Sequence, residues 1–545
     1  MRGAQTIARL ADWAAERYGD EEALVFGEER WTFAELRDRV DRVARAVIAQ
    51  GVRPGDSVAV WAPNSARWVV AALGVVAAGG VLVPVNTRYK AAEAADILRR
   101  SRTRLLFTEH DFLGTDYRAL LAASGEELPF LERTVTLHSA DWQGFLSGAD
   151  RVTGADRLAR TAAVRPADTA DILFTSGTTG RPKGVPTTHG QNLRVYDAWA
   201  RTVTLRRGDR YLLVNPFFHT FGYKAGILAC LLHGATIVPE QVFDTDAVLG
   251  RIQDERISVL TGAPTVFTSL IHHPDREAYD LTSMRMAVTG AANIPATLIE
   301  QIRTSLGARS VNTAYGLTES TGVVAICPPH ESPETLARTS GTALEGTELR
   351  IDAPPGEPGE ILTRGFHVMH GYLDDPEATA RAIDADGWLH TGDVGVLDER
   401  GFLRITDRLK DMFVVGGFNV YPAEVEQVLR GHPAVLDAAV VGAPDARLGE
   451  VGVAYCVPAA GALIDAAELT SYARERLANF KIPRAFRSVP ALPHNAAGKV
   501  DKKALRQSAQ AQDAQAQAQN AQAQATSAGA GHNGVRASLR TTSTG

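Results

Sequence analysis

The stretch Phe-Thr-Ser-Gly-Thr-Thr-Gly-Arg-Pro-Lys-Gly at residues 174–184 decides how the rest of the chain is interpreted. It comes directly after residues 171–174, which predict a strand. Glycines allow backbone N–H groups to converge on an anion, and the hydroxyl side chains add further donors. Lys183 contributes a point charge suited to phosphate. The candidate phosphate-binding residues are Thr175, Ser176, Gly177, Thr178, Thr179, Gly180 and Lys183.

This stretch has two other interpretations. A plain Gly/Ser/Thr turn is the alternative, but such turns rarely combine so many hydroxyls, glycines and a lysine after a strand. The stretch is not a Walker A loop, because the Gly-Lys-Ser/Thr ending is missing. It therefore predicts a phosphate-binding loop of another kind.

Short apolar segments alternate with helical patterns on both sides of this loop. Residues 31–51 predict an amphipathic helix, with Leu36, Val40, Val43 and Val47 on one face. The segments that predict strands are residues 56–61, 105–108, 211–215, 235–238, 259–262 and 286–289. Such alternation predicts an α/β fold in which helices cover a mainly parallel sheet.

Composition excludes several classes of protein. The chain has 545 residues, a net charge of -6 and 45% hydrophobic residues, which is typical of a globular enzyme with more than one domain. No basic excess supports a nucleic-acid partner. The three cysteines, Cys230, Cys327 and Cys456, lack the spacing of metal ligands and are too few for a disulfide framework, which favours a reducing cytoplasm.

Residues 69–85 are uncharged and almost wholly apolar. Their length is marginal for a membrane span, and Gly79, Gly80 and Pro84 interrupt them. We therefore expect no membrane span here, but a buried helix, a glycine turn and a core strand.

We expect three regions along the chain. Residues 1–409 form a large N-terminal domain that ends in a small β-rich subdomain around 341–363, where prolines and glycines punctuate short strands. Residues 410–505 form a compact α+β domain, with strands at 412–415, 438–441 and 451–457 and helices at 423–430 and 466–478. Residues 506–545 form an Ala/Gln- and Ser/Thr-rich tail with few apolar residues, which predicts disorder.

The motif Thr-Ala-Tyr-Gly-Leu-Thr-Glu at residues 313–319 carries groups suited to a nucleotide. Tyr315 offers a flat face for a base, Thr318 a hydroxyl and Glu319 a hard oxygen ligand for Mg²⁺. The alternative is a helix N-terminus capped by Thr318. The residues alone leave both interpretations open.

Three more motifs follow along the chain. Residues 388–393 end in Gly392-Asp393, where the carboxylate is an acceptor with two oxygens, although an aspartate in a β-turn is the alternative. Residues 407–424 contain Arg408 and two glycines before a predicted helix, and they also suit a charged linker. Residues 492–500 present Lys499 from a glycine-containing loop, where a solvated surface lysine is the alternative.

In this order the motifs resemble those of the adenylate-forming superfamily, which includes acyl-CoA synthetases, peptide-synthetase adenylation domains and firefly luciferase. The resemblance covers about residues 5–505. It implies a large N-terminal α/β domain and a small mobile C-terminal domain. It also implies ATP, Mg²⁺, coenzyme A and a small carboxylic acid as ligands, with an acyl-adenylate formed first and an acyl-CoA second.

The resemblance assigns roles on the nucleotide side. Tyr315 is implied to stack on adenine, and Asp393 and Arg408 to contact the ribose. Thr318 and Glu319 are implied to meet phosphate and Mg²⁺, with Glu319 as the metal ligand.

It also assigns roles in the smaller domain. Lys499 is implied to stabilise the charge that develops during adenylation. Lys410 falls at the family's hinge, and Gly417 resembles the glycine beside the pantetheine tunnel. Many relatives have Gly where Asp407 stands, and Arg or Lys where His494 stands; neither departure affects the lysine.

The acid itself is implied to bind near residues 215–226, a segment rich in aromatic residues in which His219 resembles the residue close to the carboxylate. Core packing is the alternative for each phenylalanine here. Ala291 and Gly316 would line the same cavity with little bulk, leaving space for a large acid. No aspartate is placed to pair with an α-ammonium, which argues against an amino acid.

Residues 217–232, 404–429 and 477–483 look closest to an actinobacterial subgroup of acid–CoA ligases. These act on the methyl-dioxo-hydrindane propanoate that remains after steroid rings A and B are removed. A medium- or long-chain fatty acid is the alternative substrate. A stand-alone enzyme that loads a carrier protein and a non-catalytic nucleotide-binding homologue also stay open. The oligomeric state is left undetermined by the sequence, and a homodimer is compatible with it.

Overall fold

A computed structural model describes residues 4–176, 182–290, 294, 296–357, 359–408, 413–420, 422–493, 500–502 and 504–511. The strands, numbered along the chain, are β1 Glu22–Phe26, β2 Glu29–Thr32, β3 Ser57–Trp61, β4 Val81–Pro84, β5 Leu105–Thr108, β6 Arg133–Thr136, β7 Thr169–Ser176, β8 Pro182–Thr188, β9 Arg210–Leu213, β10 Thr236–Pro239, β11 Val259–Gly262, β12 Met286–Gly290, β13 Ser310–Tyr315, β14 Ala325–Ile326, β15 Thr342–Ala343, β16 Thr347–Asp352, β17 Gly359–Gly365, β18 Leu389–Leu397, β19 Leu403–Arg408, β20 Phe413–Val415, β21 Phe418–Val420, β22 Val435–Asp445, β23 Gly449–Pro458 and β24 Ala485–Ser488.

Helices connect most of these strands. The α-helices are α1 Leu10–Tyr18, α2 Phe33–Ala49, α3 Ala66–Ala77, α4 Ala91–Arg100, α5 Tyr117–Ala123, α6 Ala140–Leu146, α7 Gly154–Ala163, α8 His189–Thr202, α9 Thr220–Gly222, α10 Ala229–His233, α11 Thr245–Asp254, α12 Pro264–Ile271, α13 Ala296–Ser305, α14 Pro333–Arg338, α15 Pro376–Ala382, α16 Pro422–Arg430 and α17 Ala466–Arg476. A π-helical turn, Tyr223–Leu228, joins α9 to α10. Short 3₁₀ turns lie at Ile7–Arg9, Ser147–Arg151, Arg276–Ala278, Thr318–Ser320 and Asn479–Lys481.

The chain divides into two compact units at residue 410, and residues 475–479 group with the first unit. The first unit contains two large sheets, ordered β15-β14-β13-β12-β11-β9-β10-β1-β2 and β6-β5-β3-β4-β7-β8, and a smaller sheet β16-β17-β18-β19. The inner strands of both large sheets pair in parallel, whereas β2, β8, β14 and β15 pair antiparallel at the edges. The predicted α/β class with mainly parallel sheet is therefore confirmed.

The predicted elements of the first unit are present with small shifts. The strands predicted at 105–108 and 259–262 have the predicted bounds. The amphipathic helix begins at Phe33 and not at residue 31, because Trp31 and Thr32 belong to β2. A capping box between Thr32 and Glu35 fixes this start: the Thr32 hydroxyl accepts from the Glu35 N–H, and the Glu35 carboxylate accepts from the Thr32 N–H.

Residues 69–85 fold as a helix, a turn and a strand, as predicted. Helix α3 is buried along its length, Gly79 turns with φ +81, and β4 is fully buried in the sheet. Among the described residues, no helix has both the length and the apolar character needed to cross a bilayer.

The smaller elements also follow the sequence pattern. The β-rich region contains the antiparallel strands β16 to β19. The second unit has the sheet β21-β20-β23-β22, with β24 added in parallel to β23. Helices α16 and α17 begin within one residue of their predicted starts, and α17 ends two residues early.

The folded part of the second unit extends past the predicted start of the tail. Residues 504–511 are helical, and Leu505 and Ala509 are buried with Tyr455 and Leu492. The Tyr455 hydroxyl donates to the Leu505 carbonyl at 3.0 Å. The prediction of disorder from residue 506 is wrong for this helix, because composition alone did not reveal which alanine and leucine face the sheet. Residues 512–545 lie outside the described residues.

Leu505→Ala is expected to lower the free energy of unfolding of the second unit by about 3 kcal/mol, the usual cost of truncating a buried leucine. Gln507→Ala, on the exposed side of the same helix, is the matched control and should change it by less than about 0.5 kcal/mol. Urea denaturation followed by circular dichroism measures both. Equal effects of the two substitutions would contradict burial of this helix.

Candidate active site

The predicted phosphate loop is the tip of the hairpin formed by β7 and β8. Their antiparallel register places Thr175 opposite Lys183 and Ser176 opposite Pro182. Strand β7 continues two residues beyond its predicted end at 174. Residues 177–181 therefore join it to β8. Gly177, Thr178, Thr179 and Gly180 lie outside the described residues. The hairpin therefore holds the two ends of the predicted anion site next to each other.

Other predicted residues lie where parallel strands of the larger sheet end. Tyr315 is the last residue of β13, and β12, which ends at Gly290, runs parallel to it. Ala291 lies outside the described residues. Ligands of open α/β sheets bind beyond the carboxyl ends of the strands, so this edge is where a nucleotide and an acid are expected.

The motif after β13 makes a tight turn. A Cβ on Gly316 would lie 2.2 Å from the carbonyl oxygen of Gly322, so only glycine fits this close approach. Thr318 and Glu319 are in the one-turn 3₁₀ helix Thr318–Ser320. The alternative in which Thr318 caps a helix is wrong: Leu317 occupies the cap position, and the Ser320 hydroxyl accepts from its N–H at 3.2 Å.

The two predicted ribose residues lie on neighbouring strands. Asp393 in β18 is opposite Arg408 in β19. Asp393 is inside a strand, so the alternative of an isolated β-turn is wrong. The Tyr315 hydroxyl donates to Asp393 Oδ2 at 2.7 Å. The predicted base-stacking residue and the predicted ribose acceptor are thus brought into direct contact.

Tyr372 is a site residue that the sequence reasoning missed. Its hydroxyl donates to Glu319 Oε1 at 2.8 Å, and the Lys183 ammonium nitrogen lies 4.6 Å from the centre of its ring. Tyr372 therefore lies between the predicted phosphate cation and the predicted metal ligand. In the sequence, Tyr372 lies shortly before Asp375-Pro376, a pair that signals the start of α15. That signal marks a helix boundary and does not tell which residues Tyr372 contacts.

Hydrogen bonds to backbone atoms fix the segment around Tyr372. The Met369 N–H donates to the Glu319 carbonyl at 2.8 Å, and the Leu373 N–H donates to the Gly184 carbonyl at 2.8 Å. The Gln191 side chain donates to the Val368 carbonyl at 2.6 Å. Segment 366–373 is therefore attached both to the phosphate hairpin and to the turn that carries Glu319.

The donor set fits Mg²⁺ held together with phosphates. Glu319 has two carboxylate oxygens, and the hydrogen bond from Tyr372 engages Oε1. Among the described ranges, no group of three or more His, Cys, Asp or Glu side chains is arranged to hold a metal ion. Binding through one carboxylate and substrate phosphate oxygens is the usual mode for Mg²⁺ in nucleotide enzymes.

His219 lies at the entry of the aromatic segment. It caps α9, and its Nδ1 accepts from the Phe221 N–H at 3.3 Å. Water reaches the imidazole, yet the surrounding protein desolvates it and lowers its pKa to about 4. Before the acid binds, this pKa makes His219 uncharged at neutral pH, and the imidazole can offer a carboxylate a hydrogen bond.

The aromatic residues of this segment divide into two groups. Phe217 is fully buried, and its ring centre lies 5.1 Å from that of Trp68, so core packing is the correct interpretation for this residue. Phe218 and Phe221 keep part of their surface accessible. Those two remain candidates for contact with an acyl group.

Asn64 is a second residue that the sequence reasoning missed. Its side-chain nitrogen lies within hydrogen-bond distance of the carbonyl oxygens of Leu213, Asn215 and Glu240, at 3.3, 3.0 and 3.1 Å. Its side-chain oxygen accepts from the Phe217 N–H at 2.8 Å. Asn64 therefore holds the start of the aromatic segment to the ends of β9 and β10. In the sequence, Asn64 is marked only by the pair Pro63-Asn64, which signals that the preceding strand has ended.

In the second unit, Gly416 and Gly417 form the turn between β20 and β21, with φ +55 and +85. Two consecutive positive φ angles suit a tight hairpin turn and favour glycine at both positions. Gly417 is exposed at this turn. Lys410 and Lys499 lie outside the described residues, and their predicted roles stay predictions.

This arrangement agrees with comparisons to known proteins. Residues 11–373 match the AMP-binding enzyme family, and residues 424–499 match the AMP-binding enzyme C-terminal domain. The chain belongs to the AMP-binding enzyme family, as an ATP-dependent acid–CoA ligase that uses Mg²⁺ and coenzyme A.

Individual relatives cover nearly the whole chain. It is 52% identical over 504 residues to the 3-[(3aS,4S,7aS)-7a-methyl-1,5-dioxo-octahydro-1H-inden-4-yl]propanoyl:CoA ligase of Rhodococcus jostii, covering 91% of this chain and 97% of that one. The ligase of the same name from Mycobacterium tuberculosis is 51% identical, covering 92% and 99%. Among solved structures, an o-succinylbenzoate CoA synthetase from Bacillus subtilis matches with a TM-score of 0.79 and 31% identity, covering 92% and 98%.

Tyr372→Phe is expected to slow ATP–pyrophosphate exchange about 10- to 100-fold, because a hydrogen bond to a charged group contributes about 1.5–3 kcal/mol. The loss should be larger at low Mg²⁺, since Glu319 is the predicted metal ligand. Tyr279→Phe, which removes a 3.3 Å surface contact to Asp246, is the matched control. Equal exchange rates for the Tyr372 variant and the wild type across a Mg²⁺ titration would refute the role given to this hydroxyl.

Proposed function

We propose that the acid substrate is the bicyclic methyl-dioxo-hydrindane propanoate that remains after degradation of steroid rings A and B. The 52% identity to the Rhodococcus ligase for this acid, over 97% of that protein, is the observation that carries the proposal. Relatives named medium-chain acyl-CoA ligases are 32% identical over similar lengths, which makes a straight-chain acid the second candidate.

The acyl-binding segment supports a bulky acid. Phe217 is withdrawn into the core, while Phe218 and Phe221 stay accessible near His219. Gly316 and Gly322 pack backbone against backbone, which removes side-chain volume beside the end of β13. Accessible aromatic faces beside glycines suit contact with a fused ring system.

In the first half-reaction, a carboxylate oxygen of the acid attacks the α-phosphorus of ATP, and the bond to pyrophosphate breaks. Lys183 and the loop 177–181 bind the phosphates, and His219 orients the carboxylate through a hydrogen bond. Glu319 would hold Mg²⁺ together with the phosphates, and the ion would neutralise charge there when bound. Asp393 accepts hydrogen bonds from the ribose hydroxyls. Tyr315 stacks on the base, and its hydroxyl orients Asp393.

In the second half-reaction, the thiolate of coenzyme A attacks the acyl carbon and AMP leaves. Gly417 would border the route of the thiol, because a turn without side chains leaves space for a narrow pantetheine arm. Lys499 would stabilise charge in the first step, and residue 410 would act as the hinge by which the second unit exchanges these two groups. These roles rest on the motif resemblance.

We also propose a cytoplasmic location. Cys230, Cys327 and Cys456 are buried free thiols, and burial raises the pKa of each of them. Free thiols throughout a chain of this length suit a reducing compartment.

The substrate proposal is tested by measuring AMP release with ATP, Mg²⁺ and coenzyme A over a panel of acids. The panel contains the hydrindane propanoate, octanoate, palmitate, benzoate and several amino acids. We expect kcat/KM to be at least about 100-fold higher with the bicyclic acid, because two well-filled ring contacts separate the substrates by roughly 3 kcal/mol.

Each outcome of this panel has a distinct meaning. A preference for octanoate or palmitate would overturn the bicyclic substrate and leave the ligase chemistry standing. ATP–pyrophosphate exchange without any transfer to free coenzyme A would instead indicate a carrier-protein acceptor. Omitting coenzyme A is the control for AMP release by hydrolysis of the adenylate.

A further inference from the structure

A salt bridge with no accessible surface lies between the phosphate hairpin and the acyl-binding segment. Asp171 in β7 and Lys224 in the π-helical turn both have side chains that are 0% exposed, and Lys224 Nζ lies 2.9 Å from Asp171 Oδ1. Neither side chain was given a binding role above, although Lys224 lies within the segment 215–226. The core therefore contains an ion pair that has no direct part in the reaction described above.

Hydrogen bonds complete the geometry of this pair. Lys224 Nζ donates to the Thr187 hydroxyl at 2.8 Å, and that hydroxyl donates to Asp171 Oδ1 at 2.6 Å. The second oxygen of Asp171 accepts from the Asn192 side chain at 2.7 Å. Thr187 is the β8 partner of Asp171 in the hairpin. The ammonium group is thus joined to both strands that lead into the phosphate loop.

Stability does not account for such a pair. Desolvation of two buried charges commonly cancels their attraction, and a well-packed apolar pair of similar volume is often at least as stable. Burial lowers the pKa of Lys224, and the Asp171 carboxylate opposes that shift. The backbone around Lys224 is also a π-helical turn, a local irregularity that occurs often at functional sites.

The other side of the pair is the acyl-binding segment. Lys224 follows Gly222, whose Cβ position would lie 2.2 Å from the Pro216 carbonyl oxygen and 2.5 Å from that of Asn215. The Tyr223 N–H donates to the His219 carbonyl at 3.0 Å. Because the backbone at Gly222 is in close contact with the backbone of residues 215–216, a shift at residue 224 would move residues 215–222 as well.

We propose that Lys224 and Asp171 are a positioning pair that sets the distance between residues 215–222 of the acyl-binding segment and strands β7 and β8 of the phosphate hairpin, and thereby serves the adenylation half-reaction selectively. The proposal rests on the acid–CoA ligase function but not on which acid is used. During adenylation the acid and ATP are separate molecules, so attack needs their binding elements in register to within a fraction of an ångström. Once the acyl-adenylate exists, a covalent bond joins the two parts, and transfer to the thiol no longer depends on that register.

Three full-length variants test this. Lys224→Met removes the ammonium at similar volume, and Asp171→Asn with Lys224→Met removes both charges so that none is buried alone. Arg157→Met is the matched control, because Arg157 is a buried cation paired with Asp12 and Asp41 at 2.7 Å, outside the predicted site. ATP–pyrophosphate exchange reports adenylation, and single-turnover thioester formation from supplied acyl-adenylate reports transfer. Thermal melting reports folding.

The acid is whichever panel member the wild-type enzyme turns over, so an incorrect choice of substrate is detected before the variants are compared. We expect exchange to fall about 30-fold or more in both Lys224 variants, with a raised KM for the acid. The KM for ATP and the transfer step should stay within about threefold of wild type. Arg157→Met should lower the melting temperature without separating the two half-reactions.

Three results would overturn the proposal. The first is an equal loss in both half-reactions, which is what a purely structural role produces. The second is recovery of exchange to the wild-type rate in the charge-free double variant. The third is failure of the double variant to fold, which would make the pair a stability element.

Discussion

The antiparallel pairing of β7 with β8 is the constraint on which the site depends. Its register places Thr175 opposite Lys183 at the tip and Asp171 opposite Thr187 at the base. The tip carries groups suited to anions, and the base carries the buried contacts to α8 and the π-helical turn. A slip of β8 by one residue would turn Lys183 to the opposite face of the sheet and separate Thr187 from Asp171, so binding and anchoring depend on one register.

Segment 366–373 extends this constraint to the rest of the site. Through Leu373 it is bonded to the hairpin, and through Met369 to the turn that carries Glu319. The Tyr372 side chain then lies between Lys183 and Glu319. A cation and an anion that would otherwise attract each other directly are separated by an aromatic ring and a hydroxyl. Tyr372 therefore keeps Lys183 and Glu319 from pairing through its own side chain.

The sequence predicted local features well and contacts between distant residues poorly. Strands such as β5 and β11 were predicted with their bounds because apolar runs and turn residues are local signals. The contact between Tyr315 and Asp393 joins residues 78 positions apart, and no local pattern contains it. The same holds for Tyr372 and Asn64, whose partners lie far away along the chain. Phe217 could not be assigned to the core or the cleft, since periodicity does not tell which of three neighbouring rings meets Trp68.

Hydrogen bonds account for the arrangement of groups at this site more than apolar packing does, because they are directional. Apolar contacts bury surface but tolerate small shifts, whereas Asn64 fixes the start of the aromatic segment through both atoms of its amide. The Tyr196 hydroxyl similarly donates to the Thr321 carbonyl at 2.9 Å inside the core, which fixes the turn after Glu319 to helix α8. Adenylation requires two separate substrates to be aligned by elements that lie far apart in the chain. Buried polar contacts meet that requirement because each stays satisfied only within a narrow range of distances and angles, so a displacement large enough to misalign the substrates also breaks a buried hydrogen bond.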